Sequence, residues 1–372
     1  MNLKDILFHN LSQITPPAFG LDLSDLSLKI AFLKRHGKEI RLESFGRCEI
    51  PQGIIKEGEI QKKDELIKII KKALEKEVKG KKLKTRYVIC SLPEQHAFVQ
   101  VIQMPKMKFA EAKEAVKWEA EANIPMSIDE VHMDWQIVKP IANRSGVDHL
   151  DVLINAVPKI LVDDYVEVLE KAGLCPVALE VESLATARSL VKDQVSPKPI
   201  LIVDLGATRT SFIIFSGDAV RFTTSTSISN REMINTIAQH LKITKEDAWR
   251  LKVRVGLNGN KKDNRVLNIL LPTLHGLAQE IEKYLVFHKE HAAPHEHGSV
   301  SEISKILLCG GGANLKDFPQ FLSERLEIPV ACGNPWVNIL KPPIKSIPEL
   351  SYQESLTYAT ALGLALRGLE IC

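Results

Sequence analysis

Residues Leu201–Phe215 read LIVDLGATRTSFIIF. Two apolar strands are joined by a tight turn that carries Asp204, Gly206, Thr208 and Thr210. A buried strand has no use for an Asp at its end, whereas a polyphosphate with its metal does. Asp204 can hold a hydrated cation, Gly206 lets backbone N–H groups approach phosphate, and Thr208 or Thr210 can donate a hydroxyl. A turn of the same build lies upstream in FGLDLSDLSLKIAFL (Phe19–Leu33), with Asp22, Ser24 and Ser27. Lys29, on the returning strand, can reach back toward a phosphate. Asp22 alone is weak, because Asp is common in turns through bonds to its own backbone. Two such hairpins in one chain point to two related lobes closing on one nucleotide.

Working outward, Ile40–Ile50 reads as a third strand of the first sheet. Asp64–Val78 has apolar residues at helical spacing and predicts an amphipathic helix. Arg86–Leu92 is an apolar strand ended by Pro93. From Glu94 to Pro176 the pattern is strand, helix, strand, strand, helix, the last helix closed by Gly173. That predicts a small α+β subdomain inserted in the first lobe. A helix over Glu182–Val191 and a Pro-flanked linker at Val195–Pro199 lead to the second lobe. Helices are expected at Ser229–Leu241, Thr244–Val253, Val266–His288 and Leu356–Arg367, with Thr244 and Asp247 close to a capping box. The strand Lys305–Cys309 runs into Gly310, Gly311, Gly312 and Asn314. Three glycines in a row cost conformational entropy and let backbone pass close to something flat or anionic. Asn314 is expected to cap the next helix and aim N–H groups at a ligand. No GK[ST] follows, so this is not a Walker A loop.

The 372 residues are too many for one core and predict two or more domains. With 45% hydrophobic and 26% charged residues the composition is that of a soluble globular protein. A net charge of +3 is too mild to argue for nucleic acid. The basic run Lys79–Arg86 reads as a solvated loop, with an acidic surface or anionic lipid as the other reading. Six cysteines without a CxxC pair predict reduced thiols and a cytoplasmic protein. No secretory signal or long apolar run is present, which predicts no transmembrane segment. The N-terminal MNLKDILFHNL places Leu3, Ile6, Leu7 and Leu11 on one helical face, for docking or a weak membrane or partner contact. His288, His291, His295 and His297 form a His-rich stretch whose Ala, Pro and Gly neighbours suit an exposed loop better than a metal site.

The two Asp-bearing hairpins followed by the glycine turn, in that order, resemble the actin/Hsp70/sugar-kinase superfamily. The resemblance implies an α/β, actin-like ATPase fold: two lobes, each with a mixed, five-stranded-type sheet, around a cleft for ATP and Mg²⁺. Asp22 and Asp204 would position Mg²⁺ through water. Ser24, Lys29, Gly206 and Thr208 would contact phosphates, and Gly310, Gly311 and Gly312 would line adenine and ribose. Glu180, between the lobes, matches the segment where such ATPases orient the attacking water. Glu282 and Lys283 match the region that frames the nucleoside.

Within that superfamily the chain is similar to the PilM family, FtsA-like proteins of type IV pilus and related secretion machines. Met104–Trp135, Ala172–Ala185, Leu308–Leu322, the NPW at Asn334–Trp336 and Ala361–Gly368 carry the resemblance. It implies a small 1C (SHS2-like) insert at 94–176. Subdomain 1A would cover 1–93 and 177–198, 2A would cover 199–228 and 300–372, and 2B would cover 229–299. It implies a cytoplasmic protein held at the inner membrane through the N-terminal tail of PilN, in a groove between 1A and 1C. Met104, Trp118 and Trp135 are the candidate groove residues. PilO-containing platforms and pilus assembly ATPases are further implied partners, and self-association is open. ATP binding is implied more firmly than hydrolysis, because Glu180 is matched by position alone and the 2B region is short. Two other readings stay open: an FtsA-like division protein, against which the end of the sequence directly after a lobe helix counts, and a small-molecule kinase, where the insert is unexpected.

Overall fold

The computed structural model describes residues 17–139, 149–257, 264–291, 302–344 and 347–370. The first lobe opens with an antiparallel meander of β1 (Phe19–Ser24), β2 (Ser27–His36) and β3 (Glu39–Glu49). A small hairpin, β4 (Ile55–Lys56) and β5 (Glu59–Ile60), leads into α1 (Lys63–Lys72) and a π-helical turn at Ala73–Glu77. β6 (Val78–Gly80) edges β3, and β7 (Tyr87–Leu92) lies parallel to β1. β8 (Phe98–Pro105), α2 (Phe109–Asn123), β9 (Val131–Val138) and β10 (His149–Pro158) form the insert. α3 (Lys159–Lys171) ends at Gly173, whose φ of +86 suits glycine, and β11 (Cys175–Val181) joins β7 in parallel. α4 (Glu182–Leu190) leads to the second meander: β12 (Ser196–Leu205), β13 (Thr210–Gly217) and β14 (Ala219–Thr226). Then come α5 (Asn230–Leu241), α6 (Lys245–Arg254), α7 (Arg265–His291), β15 (Ile306–Cys309), α8 (Phe318–Leu326) and β16 (Val330–Cys332). α9 (Tyr352–Ser355) and α10 (Ala359–Glu370) close the described chain.

The two sheets repeat one plan. The first runs β11-β7-β1-β2-β3-β6, and the second runs β16-β15-β12-β13-β14 before it continues. In each, a three-strand antiparallel meander carries two parallel strands beyond its first strand. The fold expected from the hairpins is therefore present, and the duplication extends well past them. The expected cap of α6 is also there: Asp247 N–H donates to Thr244 Oγ1 at 3.1 Å.

Three placements differ from the sequence reading. The insert does not end its own small sheet: β8 pairs with β14 at Gln100 and Phe222, so the second sheet continues through β8-β10-β9. The helix expected at the end of the insert, α3, packs in the first lobe, with Leu161, Val162 and Leu169 in one cluster with Phe19, Leu66 and Ile70. Tyr165 within it donates to the Gly58 carbonyl at 2.9 Å. The last helix, α10, expected with the second lobe, lies on the first sheet, where Ala361, Leu362 and Ala365 meet Ala31, Leu33 and Phe45. Periodicity shows that a helix has an apolar face and says nothing about which sheet that face covers.

Candidate functional site

The turns of the two meanders face one cleft of about 840 Å³. Register on the first hairpin sets Asp22 opposite Lys29. Their side chains form a buried ion pair, Nζ to Oδ2 2.8 Å. Ser91 Oγ donates to Asp22 Oδ1 at 3.3 Å, and Ser24 Oγ donates to the Ser27 carbonyl at 3.0 Å. On the second hairpin Asp204 stands near the end of β12, and the turn Gly206–Arg209 borders the cleft. The Asn230 N–H, at the start of α5, donates to the Gly206 carbonyl at 3.0 Å, which fixes the turn on that helix. A Cβ on Gly206 would stand 2.8 Å from the Arg209 carbonyl oxygen. Gly310, at φ +79, presses against Asp204 so closely that a side chain would overlap its carboxylate.

Seven acidic residues border this cleft: Asp22, Asp25, Glu77, Glu94, Glu182, Asp204 and Glu354. Burial pushes Asp204 up to about 6, with Lys29 working against the rise and Asp22 adding to it. Glu182 lies well above its usual range through burial first, then the charges of Asp22, Asp204 and Glu94. Burial also raises Glu94, whose Oε2 accepts from the Ser183 N–H at 3.2 Å while its Oε1 has no partner. Crowded carboxylates resist ionising together, and a cation among them relieves the repulsion. Among the described residues no three His, Cys, Asp or Glu side chains converge as a direct ligand set. The donors therefore suit a hydrated cation shared with phosphate rather than a bare one.

Of the residues read from the sequence, Asp22, Ser24, Lys29, Asp204, Gly206, Thr208, Gly310, Gly311 and Asn314 all border the cleft. Others do different work. Thr210 is fully buried and donates to the Ile228 carbonyl at 2.7 Å. Gly312 packs under Leu205. Asn314 does not cap a helix; its Nδ2 donates to the Gln353 carbonyl at 3.1 Å, and α8 starts beyond Asp317. Glu282 pairs with Arg325 at 2.9 Å, and Lys283 sits 5.6 Å from the Tyr284 ring centre, neither of them bordering the cleft.

Glu180 is the main correction. It is buried against two guanidiniums, Arg188 at 2.5 and 2.7 Å and Arg367 at 3.2 Å. Burial alone would raise its carboxyl, but Arg188 and Arg367 outweigh that and hold it below the ordinary value. A carboxylate so engaged orients no water. Glu182, two residues on and the first residue of α4, borders the cleft instead. The switch from strand to helix at Val181 decides which acid faces which way, and the sequence gives only that both lie near the junction. Glu94 and Trp249 were likewise missed, because a lone Glu after Pro93 and a lone Trp in a helix carry no motif.

A second pocket of about 70 Å³ lies between the insert and the first lobe. His132 and Asp134 of β9 and Asn155 of β10 face Leu92, Glu180 and Arg367 across it. Asn155 Oδ1 is buried without a partner, and burial raises Asp134. The candidate groove residues are not its walls: Met104 is in the insert core, Trp118 stands 73% exposed on α2, and Trp135 rests on Phe109 at 5.4 Å. The N-terminal amphipathic stretch and most of the His-rich loop lie outside the described residues.

Comparison with known proteins adds the family. The model of the Type IV pilus assembly protein PilM family matches residues 20–369. The chain belongs to the PilM family. The solved structure of a PilM-PilN type IV pilus biogenesis complex is 27% identical, with a TM-score of 0.75 over 95% of this chain and 99% of that one. MreB 5 of Spiroplasma citri bound to AMPPNP is 14% identical, with a TM-score of 0.54 over 96% and 97% of the two chains. The ethanolamine utilization protein EutJ of Carboxydothermus hydrogenoformans is also 14% identical, with a TM-score of 0.53 over 98% of this chain and 94% of its own. These two likenesses show the fold alone. The cell division protein FtsA of Pseudomonas aeruginosa is 23% identical over 215 residues, 54% of this PilM-family chain and 50% of FtsA, so the match spans half of that relative. No helix among the described residues is long and apolar enough to cross a membrane.

Proposed function

We propose that this PilM-family chain is an actin-like, ATP-binding component of a type IV pilus or related secretion platform that docks the N-terminal tail of PilN. The observation that carries the reading is the likeness to the PilM-PilN complex over almost the whole of both chains. In the cleft, Asp22 and Asp204 are assigned to Mg²⁺ and its waters. Ser24, Lys29, Gly206 and Thr208 are assigned to phosphates, and Gly310 and Gly311 to the nucleoside. Mg²⁺ bound with the triphosphate would supply the positive charge that the acidic side chains of the cleft lack. Lys29 holds Asp22 in place, and any hydrolysis is assigned to Glu182, which borders the cleft where Glu180 does not.

For the partner, an extended tail suits the pocket between insert and first lobe, with its unpartnered Asn155 Oδ1. β9 ends the second sheet, and such an edge strand can offer backbone groups to an extended peptide. Through PilN the chain would be cytoplasmic and peripheral to the inner membrane. PilO and the assembly ATPases would follow as indirect partners. The test is calorimetric titration of the chain with a PilN N-terminal peptide from the same genome, with and without Mg·ATP. Micromolar or tighter binding is expected. No peptide binding in either condition, with ATP still bound, would reject the docking role and return the weight to an FtsA-like protein.

A further inference from the structure

Two of the helices bordering the cleft contribute a different chemistry from the turns. α5 and α6 supply Asn230, Ile234, Trp249 and Val253, none of them acidic. Trp249 and Val253 are four residues apart and so share a helix face. The register of α6 is held from below: Lys252 is fully buried, and its Nζ donates to Asn230 Oδ1 at 2.5 Å and to the Gly311 carbonyl at 3.3 Å. That clamp ties α6 to two further cleft residues. Trp249 itself remains 48% exposed. Other exposed large hydrophobics, such as Phe109, Trp118, Ile160 and Ile347, lie outside the cleft lining.

We propose that Trp249 is the surface on which the base of the bound nucleotide stacks. This rests on the nucleotide reading above and deepens it. The Asp-bearing turns account for the phosphates and their cation, and Gly310 and Gly311 give the nucleoside backbone but no ring to stack on. Phe45 and Tyr358, also in the lining, are buried edge to face against each other. An indole has a flat π face, is half covered, and stands on a helix whose position is fixed by Lys252. Aromatic stacking is sequence-tolerant because every base has a π face, so affinity comes from the ring rather than from hydrogen-bond readout. Trp249 thereby acts on binding of the base and leaves the triphosphate end alone.

The test compares Mg·ATP with Mg·tripolyphosphate, which lacks base and sugar, on the full chain and on Trp249→Phe and Trp249→Ala. Wild type should show a change in indole emission with Mg·ATP and none with Mg·tripolyphosphate. Trp249→Ala should weaken Mg·ATP about tenfold to a hundredfold, the range set by losing one stacked base. Its affinity for Mg·tripolyphosphate should not move. Trp249→Phe should keep most of the ATP affinity and lose the emission change, since Trp118, Trp135 and Trp336 lie outside the cleft. Equal weakening of both ligands, or of neither, in Trp249→Ala overturns the stacking role while leaving the nucleotide reading intact. Failure of wild type to bind either ligand overturns both.

Discussion

Lys252 carries its ammonium into a fully buried position, where its Nζ reaches an amide oxygen and a carbonyl. Burial lowers it from 10.5 to about 7. Below about 7 both folded and unfolded chains hold the proton, and the full cost of burying the charge is present. As pH rises from there toward 10.5, the unfolded chain still binds the proton and the folded one does not, so stability rises. Lys252→Met should abolish that rise. Urea midpoints measured at neutral and alkaline pH should climb more in wild type than in the variant, and parallel slopes would reject the assignment. At Glu180 the expected effect is structural. Glu180→Gln leaves Arg188 and Arg367 facing a neutral amide, a loss of about 3–5 kcal/mol by the usual cost of breaking a buried pair. Denaturant unfolding should show it, while Mg·ATP affinity of the folded variant stays at the wild-type value.

Helices α4 and α10 meet at the junction of the lobes, with Thr186 and Thr360 hydroxyls 3.0 Å apart. Gly363 allows this approach, because a Cβ there would overlap the Ala185 carbonyl. Gly363→Ala gains at most about 1 kcal/mol of helix propensity. Overpacking costs about 1–3 kcal/mol and wins. The variant should therefore unfold at lower denaturant than wild type, and equal or greater stability would show that the helices part without cost. The helix over the ALGLALRG run was legible from the sequence. Its place on the first sheet was not, because small residues permit a close approach without naming the neighbour. The cap of α6 was readable in advance for the opposite reason: Thr244 satisfies an N–H group only three residues away.

At the scale of the molecule the insert is tied to the second lobe. Arg221 on β14 meets Asp151 on β10 at 2.6 Å, both buried, and donates to the Lys139 carbonyl at 2.6 Å and the Ser216 carbonyl at 3.0 Å. The proposed partner pocket lies between the insert and the first lobe. A shift of one lobe relative to the other therefore has to move the walls of that pocket or break the Arg221 link. A ligand that favours closure can shift the partner's affinity only through such a difference between the two states. Arg221→Met should cost about 3–5 kcal/mol of stability, since it strands Asp151. Arg221→Lys, which keeps the charge and loses the fork, should stay folded. In that variant the ratio of PilN-peptide affinities with and without Mg·ATP should move toward one, measured by the same calorimetry. An unchanged ratio would place the coupling elsewhere.

The sequence alone determined the two Asp-bearing hairpins, the glycine turn, and through them the actin-like fold and most of the cleft. These are local features: an Asp at a strand end, a Gly where backbone must approach, and a hydroxyl in a tight turn are fixed by residues within a few positions of each other. Only the tertiary structure decided that Glu182 and not Glu180 faces the cleft, that Thr210 and Gly312 serve the core, and that Glu282 and Lys283 stay outside. It also decided that the insert extends the second sheet while α3 and α10 cover the first. Each of these depends on which apolar face meets which, and long-range burial is set by the partner surface rather than by the pattern on either surface alone.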